Sequence, residues 1–461
     1  MTGQTSNSAW GRRAAAFQRA VDRLTMPIVP CRNFTTADQA RTAWHGLCHG
    51  PIRMKSAGVL LLMAAQLSAA VLATPFLFVL RALGYRFLSV NTSQIGDIIF
   101  IDLYLKEAIQ EKQHHRAVFV ATSRNKVANA YLFDLYSDRI TYLRHPLIRL
   151  LTIPFFVNPW LTDNIYRFDV PYSHGKKAPC RGHIVHTAYA ESFGRPLIAM
   201  PAADREAAEA VLTERLGSTR PFVAVHARDS GFYKDPHRTI RNANIFDYEA
   251  GLKFLIDSGY TVIRFGDPLM VDVSEMAQRL GSGFFDYAAS DIKSEVMDVY
   301  ILSECAFAVV CASGPNGVPP IFHKAACQIN HYGVATALGY TPDSLSLCKK
   351  IRRKDDGTPI PFAEMFSPPL TNDLQHDKLA KLGYFLEDNR PEEIVAVLRE
   401  FVQRTSPAPN NLQRHARTFI PDGAYNKAAR GQYSTVMLKM YFPDISLGEE
   451  HGGTQDSNHT A

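Results

Sequence analysis

The chain has 461 residues, of which 46% are hydrophobic and 20% charged, and its formal net charge is +6. This length favours two domains with additional terminal segments, and this composition is typical of a globular rather than a disordered protein. A charge this small and this widely spread suits an anionic ligand or a membrane surface, and it argues against a nucleic-acid-binding protein.

The seven cysteines are scattered along the chain, and no Cys-x-x-Cys pair occurs. This pattern predicts free, mostly buried thiols in a reducing compartment. A zinc site needs clustered ligands, which the sequence lacks, and it also has no Asp-x-Asp triplet to hold a metal against a diphosphate. We therefore predict no metal and no cofactor.

The first predicted element is an uncharged, mostly apolar run at residues 56–80, with Arg53 and Lys55 before it and Arg81 and Arg86 after it. Such a run is typical of a membrane helix, and it begins too late in the chain for a secretory signal peptide. A buried core helix is the alternative. We predict that residues 1–87 form a basic, membrane-associated segment.

The topology of this segment has two solutions. Basic residues dominate upstream of the run, so a single span would keep that end in the cytoplasm and export the rest of the chain. A run broken at Pro75 could instead be re-entrant or lie in the membrane interface, with both flanks on the cytoplasmic side. The free-thiol pattern favours the cytoplasmic side.

A βαβ unit is predicted after the apolar run. Its parts are a strand at 87–90, a loop at 91–97, a helix at 98–112 and a strand at 117–121. The segment 146–172 is rich in proline and aromatic residues, which predicts loops and connectors. We place a first domain at residues 88–205.

A second α/β series begins near Arg220. It has predicted strands at 222–225, 261–265 and 306–310 and predicted helices at 248–258, 294–303 and 391–403, the first of them capped by Asp247. We place a second domain at residues 206–400, followed by a C-terminal extension at 401–461 whose end is expected to be disordered.

Cations are concentrated directly after the predicted strand at 222–225. They are His226, Arg228, Lys234, Arg238 and Arg241. In open α/β sheets, ligands bind beyond the carboxyl ends of the strands, and arginine offers a bidentate fork to phosphate oxygens. The cluster predicts a diphosphate site, with a solvated loop of mutually paired charges as the alternative.

Two further loops follow predicted strands of the second series. Ser313, Gly314 and Asn316 precede an expected helix start near Val318, where backbone N–H groups could bind an anion; an ordinary turn is the alternative. Gly266 and Asp267 could contact a nucleobase or ribose, although a turn is the favoured interpretation.

The loop at 91–97 contains Gly96, which lets the backbone approach a ligand, and Asp97, whose carboxylate could act as a general base. Asp97 could equally cap the helix that starts at Ile98. The residue types alone leave this choice open. The basic run at 349–354 is predicted to be a solvated surface, with a surface facing anionic lipid as the minority alternative.

Residues 223–268 resemble a family of bacterial glycosyltransferases associated with surface-polysaccharide synthesis. The resemblance continues at 297–305, in the loop of Ser313 and Gly314, and at 386–394. More distantly, the His226–Arg228 segment with the Ser313 loop is similar to the diphosphate site of GT-B fucosyltransferases. Ile95–Asp97 is similar to the glycine–aspartate loop of lipopolysaccharide heptosyltransferases, in which the aspartate is taken as the base.

This resemblance implies a GT-B-like fold, that is, two Rossmann-like α/β domains facing a cleft, with the membrane-associated helical segment at the N-terminus. It implies transfer of a sugar from a nucleotide-diphospho-sugar to a lipid-linked or other membrane-proximal glycan, with Asp97 as base and Arg228 and the Ser313–Gly314 amides at the diphosphate. The expected place is the cytoplasmic face of a bacterial inner membrane, with a lumenal type II arrangement as the alternative.

Two other functions compete with this one. An epimerase or phosphate-transfer enzyme could use similar architecture, but neither a G-x-G-x-x-G fingerprint nor a G-x-x-x-x-G-K-[ST] loop occurs. A non-catalytic glycan-binding or scaffold subunit of a membrane polysaccharide assembly would keep the fold without needing Asp97 or Arg228.

Overall fold

The computed structural model describes most of the chain from Arg53 onward. The described residues are 53–122, 127–158, 160–164, 168, 181–217, 220–229, 231, 240–367, 370, 376–422 and 424–447. Predictions that concern residues 1–52, Lys234, Arg238 or the end of the chain lie outside these residues. The same holds for Cys31, Cys48 and Cys180.

The helices and strands alternate through most of the described chain. The α-helices are Arg53–Ala82 (α1), Ile98–Gln110 (α2), Ala130–Asp134 (α3), Pro146–Phe156 (α4), Arg181–Phe193 (α5), Ala202–Leu216 (α6), Glu249–Asp257 (α7), Ser274–Leu280 (α8), Glu295–Glu304 (α9), His376–Lys381 (α10), Pro391–Gln403 (α11), Asn411–Thr418 (α12) and Thr435–Tyr441 (α13). The strands are Tyr85–Ser89 (β1), Ala117–Ala121 (β2), Ile140–Leu143 (β3), Asp163–Asn164 (β4), Phe222–His226 (β5), Thr261–Arg264 (β6), Phe284–Phe285 (β7), Phe307–Val310 (β8), Ala326–His331 (β9), Leu345–Cys348 (β10), Lys350–Arg353 (β11), Tyr384–Glu387 (β12) and Gln432–Tyr433 (β13).

The first sheet is parallel and has the order β3-β2-β1-β4. It contains the predicted βαβ unit, with β2 at the predicted bounds and α2 ending two residues early. The prediction of loops throughout 146–172 is wrong, because Pro146–Phe156 is helical. Pro146 occupies the first turn, where a missing N–H costs nothing, and Pro154 lies near the C-terminal end.

The second sheet is also parallel, with the order β7-β6-β5-β8-β9-β10-β13. Counted from β5 along the chain, this is the 3-2-1-4-5-6 order of a doubly wound sheet with one more edge strand. That edge strand, β13, comes after residue 400, so the sheet uses part of the predicted C-terminal extension. The domain boundaries themselves stay a prediction. A short antiparallel pair, β11 and β12, lies apart from both sheets.

The strand β5 shows why the second sheet lies inside the protein. All five of its residues are buried. Val223 and Val225 point into a core formed with α7 and α11, and Phe222 and Ala224 point to the opposite side, where they join a core shared with α2 and β1. Side chains of a strand alternate between faces, so an apolar residue at every position fits a sheet covered on both sides. The first sheet therefore packs near one face of the second.

Two predicted helix caps differ from the structure. The motif at 389–392 has the form of a capping box, but α11 begins one residue later than that motif implies, after Arg390, whose backbone N–H donates to the carboxylate of Glu393 over 2.8 Å. Asp247 does not cap α7, because a 3-10 turn at Ile245–Tyr248 precedes that helix and Asn244 caps the turn.

The helix α1 contains 30 residues and continues through Pro75, so the predicted break at that proline does not occur. Within the described residues it is the one helix long and apolar enough to cross a membrane, by length and composition. Membrane association stays a prediction at this stage.

The basic run at 349–354 is not the solvated surface that the sequence predicted. Lys349 and Lys350 are almost fully buried, Lys349 pairs with Asp388, and Lys350 pairs with Glu387 and Glu393. Arg352 also pairs with Glu387. Much of the run therefore holds β11 and β12 to α11. The cysteine prediction is confirmed for the described cysteines, since Cys305, Cys311, Cys327 and Cys348 are free and buried.

Candidate functional site

Both sheets reverse their strand order next to their first strand. In the first sheet the reversal lies between β1 and β4, and in the second it lies between β5 and β8. Ligands of open α/β sheets bind outside the carboxyl ends of the strands at such a point. The loops that follow β1, β5 and β8 are therefore the candidate ligand-binding loops.

These loops line a single cavity of about 400 Å³. Ten of the predicted site residues line it: Gly96, Asp97, His226, Arg228, Arg241, Gly266, Asp267, Ser313, Gly314 and Asn316. Lys234 lies outside the described residues. The structure thus brings together residues more than 200 positions apart that the sequence identified separately, whereas their individual roles stay predictions.

Glycines bring the loops of the two sheets into direct contact. A Cβ atom on Gly96 would lie 2.8 Å from the Cα and carbonyl oxygen of Gly314, and one on Gly317 would lie 2.9 Å from the carbonyl oxygen of Gly96. Real Cβ atoms do not come this close to backbone, so a side chain at Gly96 has no room. Gly96 therefore lets the loop after β1 close one side of the cavity against the loop after β8.

Asp97 lies at the N-terminus of α2 and is 1% exposed. It occupies the capping position of that helix, but its carboxylate makes no capping hydrogen bond. Asp97 therefore stands at the capping position, but its side chain does not cap the helix. Asp97 also lines the cavity.

His226 ends β5 and is buried, with Nδ1 2.9 Å from the carbonyl oxygen of Phe265. A carbonyl oxygen only accepts hydrogen bonds, so Nδ1 carries the proton and Nε2 keeps its lone pair. Burial lowers the pKa of His226 to about 4. The ring is therefore neutral at pH 7, and the sequence analysis was wrong to count it among the cations of this loop.

Arg228 and Arg241 supply the positive charge next to His226. Arg228 is buried, and its backbone N–H donates to the Sγ atom of Cys311 over 3.2 Å. The Nε atom of Arg241 donates to the carbonyl oxygen of Ala312 over 2.6 Å. Both arginines are thereby connected to the segment that leads into the Ser313 loop, and both line the cavity.

The Ser313 loop differs from the prediction in its backbone. No α-helix starts near Val318; two 3-10 turns, Gly314–Gly317 and Pro319–Phe322, follow instead. Pro319 and Pro320 lack the N–H groups that an α-helix would need there. The N–H of Ser313 donates to the carbonyl oxygen of Cys311 over 2.7 Å, so it is not directed at a ligand in this conformation. The expected α-helix start is therefore wrong, whereas the anion-binding role of Ser313, Gly314 and Asn316 stays a prediction.

Gly266 and Asp267 form the turn that the sequence favoured. The carboxylate of Asp267 accepts from the N–H of Leu269 over 2.8 Å. A Cβ atom on Gly266 would lie 2.1 Å from the Sδ atom of Met270, so the flexible side chain of Met270 would have to move to admit another residue. Both residues also line the cavity, which keeps a ligand contact possible for each.

Lys293 and Asp298 form an ion pair that the sequence did not predict. Lys293 lies 2.8 Å from a carboxylate oxygen of Asp298 and over the rings of Tyr287 and Phe265. Both members of the pair line the cavity. Lys293 follows no predicted strand directly, so a search confined to strand ends could not find it.

Gln328 was missed as well. It lies in the middle of β9, is 4% exposed and lines the cavity. Its Oε1 atom is buried without a hydrogen-bond partner among the described residues. A buried acceptor without a partner is costly, so a ligand or water that donates to it would remove this cost. A glutamine within an otherwise buried strand was the available signal in the sequence.

Within the described residues, no group of three or more His, Cys, Asp or Glu side chains is arranged to hold a metal ion. The cations that border the cavity are side chains of the protein, in particular Arg228, Arg241 and Lys293.

No protein-family model matches the sequence, and no curated protein matches it. Among solved structures, the chain is similar to the ADP-heptose lipopolysaccharide heptosyltransferase II of E. coli, with 12% identity, 53% of this chain and 84% of that one covered, and a TM-score of 0.35. It is also similar to a family 9 glycosyltransferase of Veillonella parvula, with 12% identity, coverages of 57% and 85%, and a TM-score of 0.36. A third is a dodecameric iron-containing heptosyltransferase in complex with ADP-D-β-D-heptose, with 12% identity, coverages of 70% and 76%, and a TM-score of 0.35.

Proposed function

We propose that the cavity binds a nucleotide-diphospho-sugar and that the protein is a glycosyltransferase with a GT-B-like arrangement of two α/β domains. One observation carries the proposal. The switch-point loops of two parallel sheets line the same cavity, one with a carboxylate and the other with two arginines. A glycosyl transfer needs both, because a base must act on the acceptor while charge develops on the leaving diphosphate.

The reaction follows from this arrangement. The oxygen of an acceptor hydroxyl attacks the anomeric carbon, Asp97 takes the hydroxyl proton, and the bond from that carbon to the diphosphate breaks with inversion. The leaving group departs as a nucleoside diphosphate whose charge Arg228 and Arg241 stabilise by charge-assisted hydrogen bonds. In this proposal the side-chain cations replace a metal ion. His226 has the neutral form of its ring and contributes a hydrogen-bonding nitrogen.

The acceptor in this proposal is a lipid-linked or other membrane-proximal glycan of surface-polysaccharide synthesis. The length and apolar composition of α1, which includes all of residues 56–80, support a membrane location. The buried free thiols support the cytoplasmic side of that membrane.

The test is thermal unfolding of the detergent-solubilised protein with ADP, GDP, UDP and CDP and with the corresponding nucleotide-sugars. A ligand that binds only the folded state raises the unfolding temperature. We expect one nucleotide to do so, and we expect Arg228→Ala to abolish the shift.

The matched control is Arg279→Ala, which removes the same charge from an exposed arginine paired with Glu249 away from the cavity. It should keep the shift in full. If no nucleotide stabilises the folded protein, the donor site is refuted and the scaffold function becomes the better account.

A further inference from the structure

An apolar face covers one side of the first sheet, and it consists of more than α1. Among the described residues, the most exposed large apolar side chains of this region come from α1, from α4 and from the loop that follows α4. We define the face by Leu72, Phe76, Val79, Leu147, Leu151 and Trp160.

The orientation of α1 is fixed by its two sides. Leu72, Phe76 and Val79 follow helical spacing and are exposed, whereas Ala70 and Leu77 lie on the other side and are buried. One side of the helix therefore rests on the protein while the other is open.

Several contacts hold this half of α1 against the protein. The ring of Phe76 packs on Phe155 of α4, with centroids 5.8 Å apart. The side-chain amide of Asn158 donates to the carbonyl oxygen of Ala70 over 2.9 Å, and Arg81 pairs with Asp163 of β4. A helix that stood upright in a bilayer would lose these contacts or would carry α4 and the loop of Asn158 into the hydrocarbon.

The chemistry of the face fits lipid better than protein. No charged residue occurs from Ser56 to Leu80, and the one charged residue of α4, Arg149, is buried. Non-obligate interfaces between soluble proteins are only about as apolar as the rest of the surface and have a polar rim. Within the face, Trp160 is 65% exposed, and tryptophan prefers the headgroup level of membranes.

Basic residues border the apolar stretch in sequence. Arg53 and Lys55 precede it, with further arginines upstream, whereas Arg81 and Arg86, which follow it, share Asp163. This excess of positive charge complements anionic phospholipid headgroups. We propose that α1 and α4 lie together in the plane of one leaflet of an anionic phospholipid bilayer, with Trp160 at the headgroup level, and that α1 does not cross the membrane. The proposal does not depend on the sugar-transfer reaction.

The first test measures binding of the full chain to vesicles of phosphatidylcholine and phosphatidylglycerol. Leu147→Gln/Leu151→Gln alters only α4, and we expect it to weaken vesicle binding at least about ten-fold because two apolar side chains no longer enter the leaflet. The control is Val211→Gln/Leu382→Gln, which makes the same change at two exposed residues outside the face and should bind as the wild type does.

Each alternative gives a different result. A spanning α1 would leave vesicle binding of the α4 variant unchanged. A second copy of the chain on this face would leave binding unchanged but shift the α4 variant to a smaller oligomer. Coverage of the face by residues 1–52 would leave binding unchanged and lower the unfolding temperature. Any of these three results overturns the proposal.

The second test locates the two ends of α1. With a protease site inserted before Arg53 and another after Leu447, sealed vesicles carrying the bound protein should expose both sites on the same side. Cleavage from opposite sides would show a membrane span and would refute the in-plane orientation. The side on which these sites are cleaved does not depend on nucleotide binding. The in-plane orientation and the sugar-transfer function can therefore be refuted separately.

Discussion

Gly96 and Gly314 belong to loops of different sheets, yet a single added carbon on Gly96 would lie 2.8 Å from the backbone of Gly314. The reverse does not hold. A Cβ atom on Gly314 would first meet the Cγ2 atom of Ile95 at 3.2 Å, a side-chain atom that can move. The contact that closes the cavity is thus asymmetric, and this asymmetry can be measured.

Gly96→Ala should damage the site and Gly314→Ala should not. In Gly96→Ala, the added Cβ atom forces the backbone at residue 96 away from the backbone of Gly314, which costs about 1–3 kcal/mol in the free energy of unfolding. The displaced loop carries Asp97, so turnover should fall more than stability does. Chemical unfolding and donor turnover of both variants check this. Equal losses in the two would show that the loops do not meet as described.

Asp97→Asn should keep the fold and the nucleotide-dependent rise in unfolding temperature but lose turnover by about 10²–10⁴-fold, the usual range for a general base. The side chains have the same shape, so packing around this buried residue is preserved. Consumption of the donor in the presence of a lipid-linked glycan measures the effect. Asp272→Asn is the control, because asparagine also accepts from the N–H of Ser274 and the residue does not line the cavity. A variant at Asp97 that retains most of its turnover would rule out the base.

Stability should fall as the pH decreases from about 6.5 to about 4. Burial lowers the pKa of His183 to about 3 and that of His226 to about 4, whereas an unfolded histidine titrates near 6.5. Between these values the unfolded chain binds more protons, so each histidine lowers the free energy of unfolding by up to about 1.4 kcal/mol per pH unit. Above pH 6.5 both states are neutral and this contribution is complete.

His183→Phe should flatten this pH dependence. The phenyl ring can keep the contact with Tyr340, whose ring centroid lies 4.3 Å from that of His183, but it takes up no proton. Urea unfolding at a series of pH values would show the slope below pH 6.5 reduced by about one proton. An unchanged slope would mean that His183 titrates normally in the folded protein.

Lys350→Met should destabilise the protein by about 2–4 kcal/mol, because it leaves two partly buried carboxylates without their shared cation. The Nζ atom of Lys350 lies 3.1 Å from Glu387 and 2.8 Å from Glu393. Lys354→Met removes a charge from an exposed position in the same basic run and should cost less than about 0.5 kcal/mol. Similar losses in the two variants would show that the run is solvated after all.

Several strands and most of the candidate site could be predicted from local sequence patterns. Buried strands such as β2, β5 and β8 were visible as apolar runs, and the polar loops that follow β1, β5 and β8 were visible at their ends. The rule that ligands bind at carboxyl ends then joined distant residues into one site. Most of the candidate site followed from local patterns and this one rule.

The errors concern long-range effects. The ion pairs of Lys349 and Lys350 depend on acidic residues about 40 positions later, so a basic run viewed alone looked solvated. The neutral state of His226 depends on burial, and the carbonyl of Phe265, directly after β6, decides which ring nitrogen carries the proton. Tertiary contacts decide both, and no local pattern reports them.

Gln328 gives a prediction in which stability and ligand binding change in opposite directions. Its Oε1 atom is buried and has no partner among the described residues, while the residue lines the cavity. Gln328→Met keeps a similar length and removes the unsatisfied acceptor. The free energy of unfolding without ligand should therefore rise by about 1 kcal/mol.

The stabilisation of the same variant by its nucleotide-sugar should decrease, because a ligand hydroxyl or amino group would lose its acceptor in a buried place, which weakens binding by about 1–3 kcal/mol. Thermal unfolding with and without the ligand measures both changes in one experiment. The same measurement is made with the free nucleoside diphosphate. If Gln328→Met weakens its binding as much as that of the nucleotide-sugar, Gln328 contacts the nucleotide and not the sugar. A variant that is less stable without ligand would show that Oε1 is already satisfied, by an ordered water in the cavity.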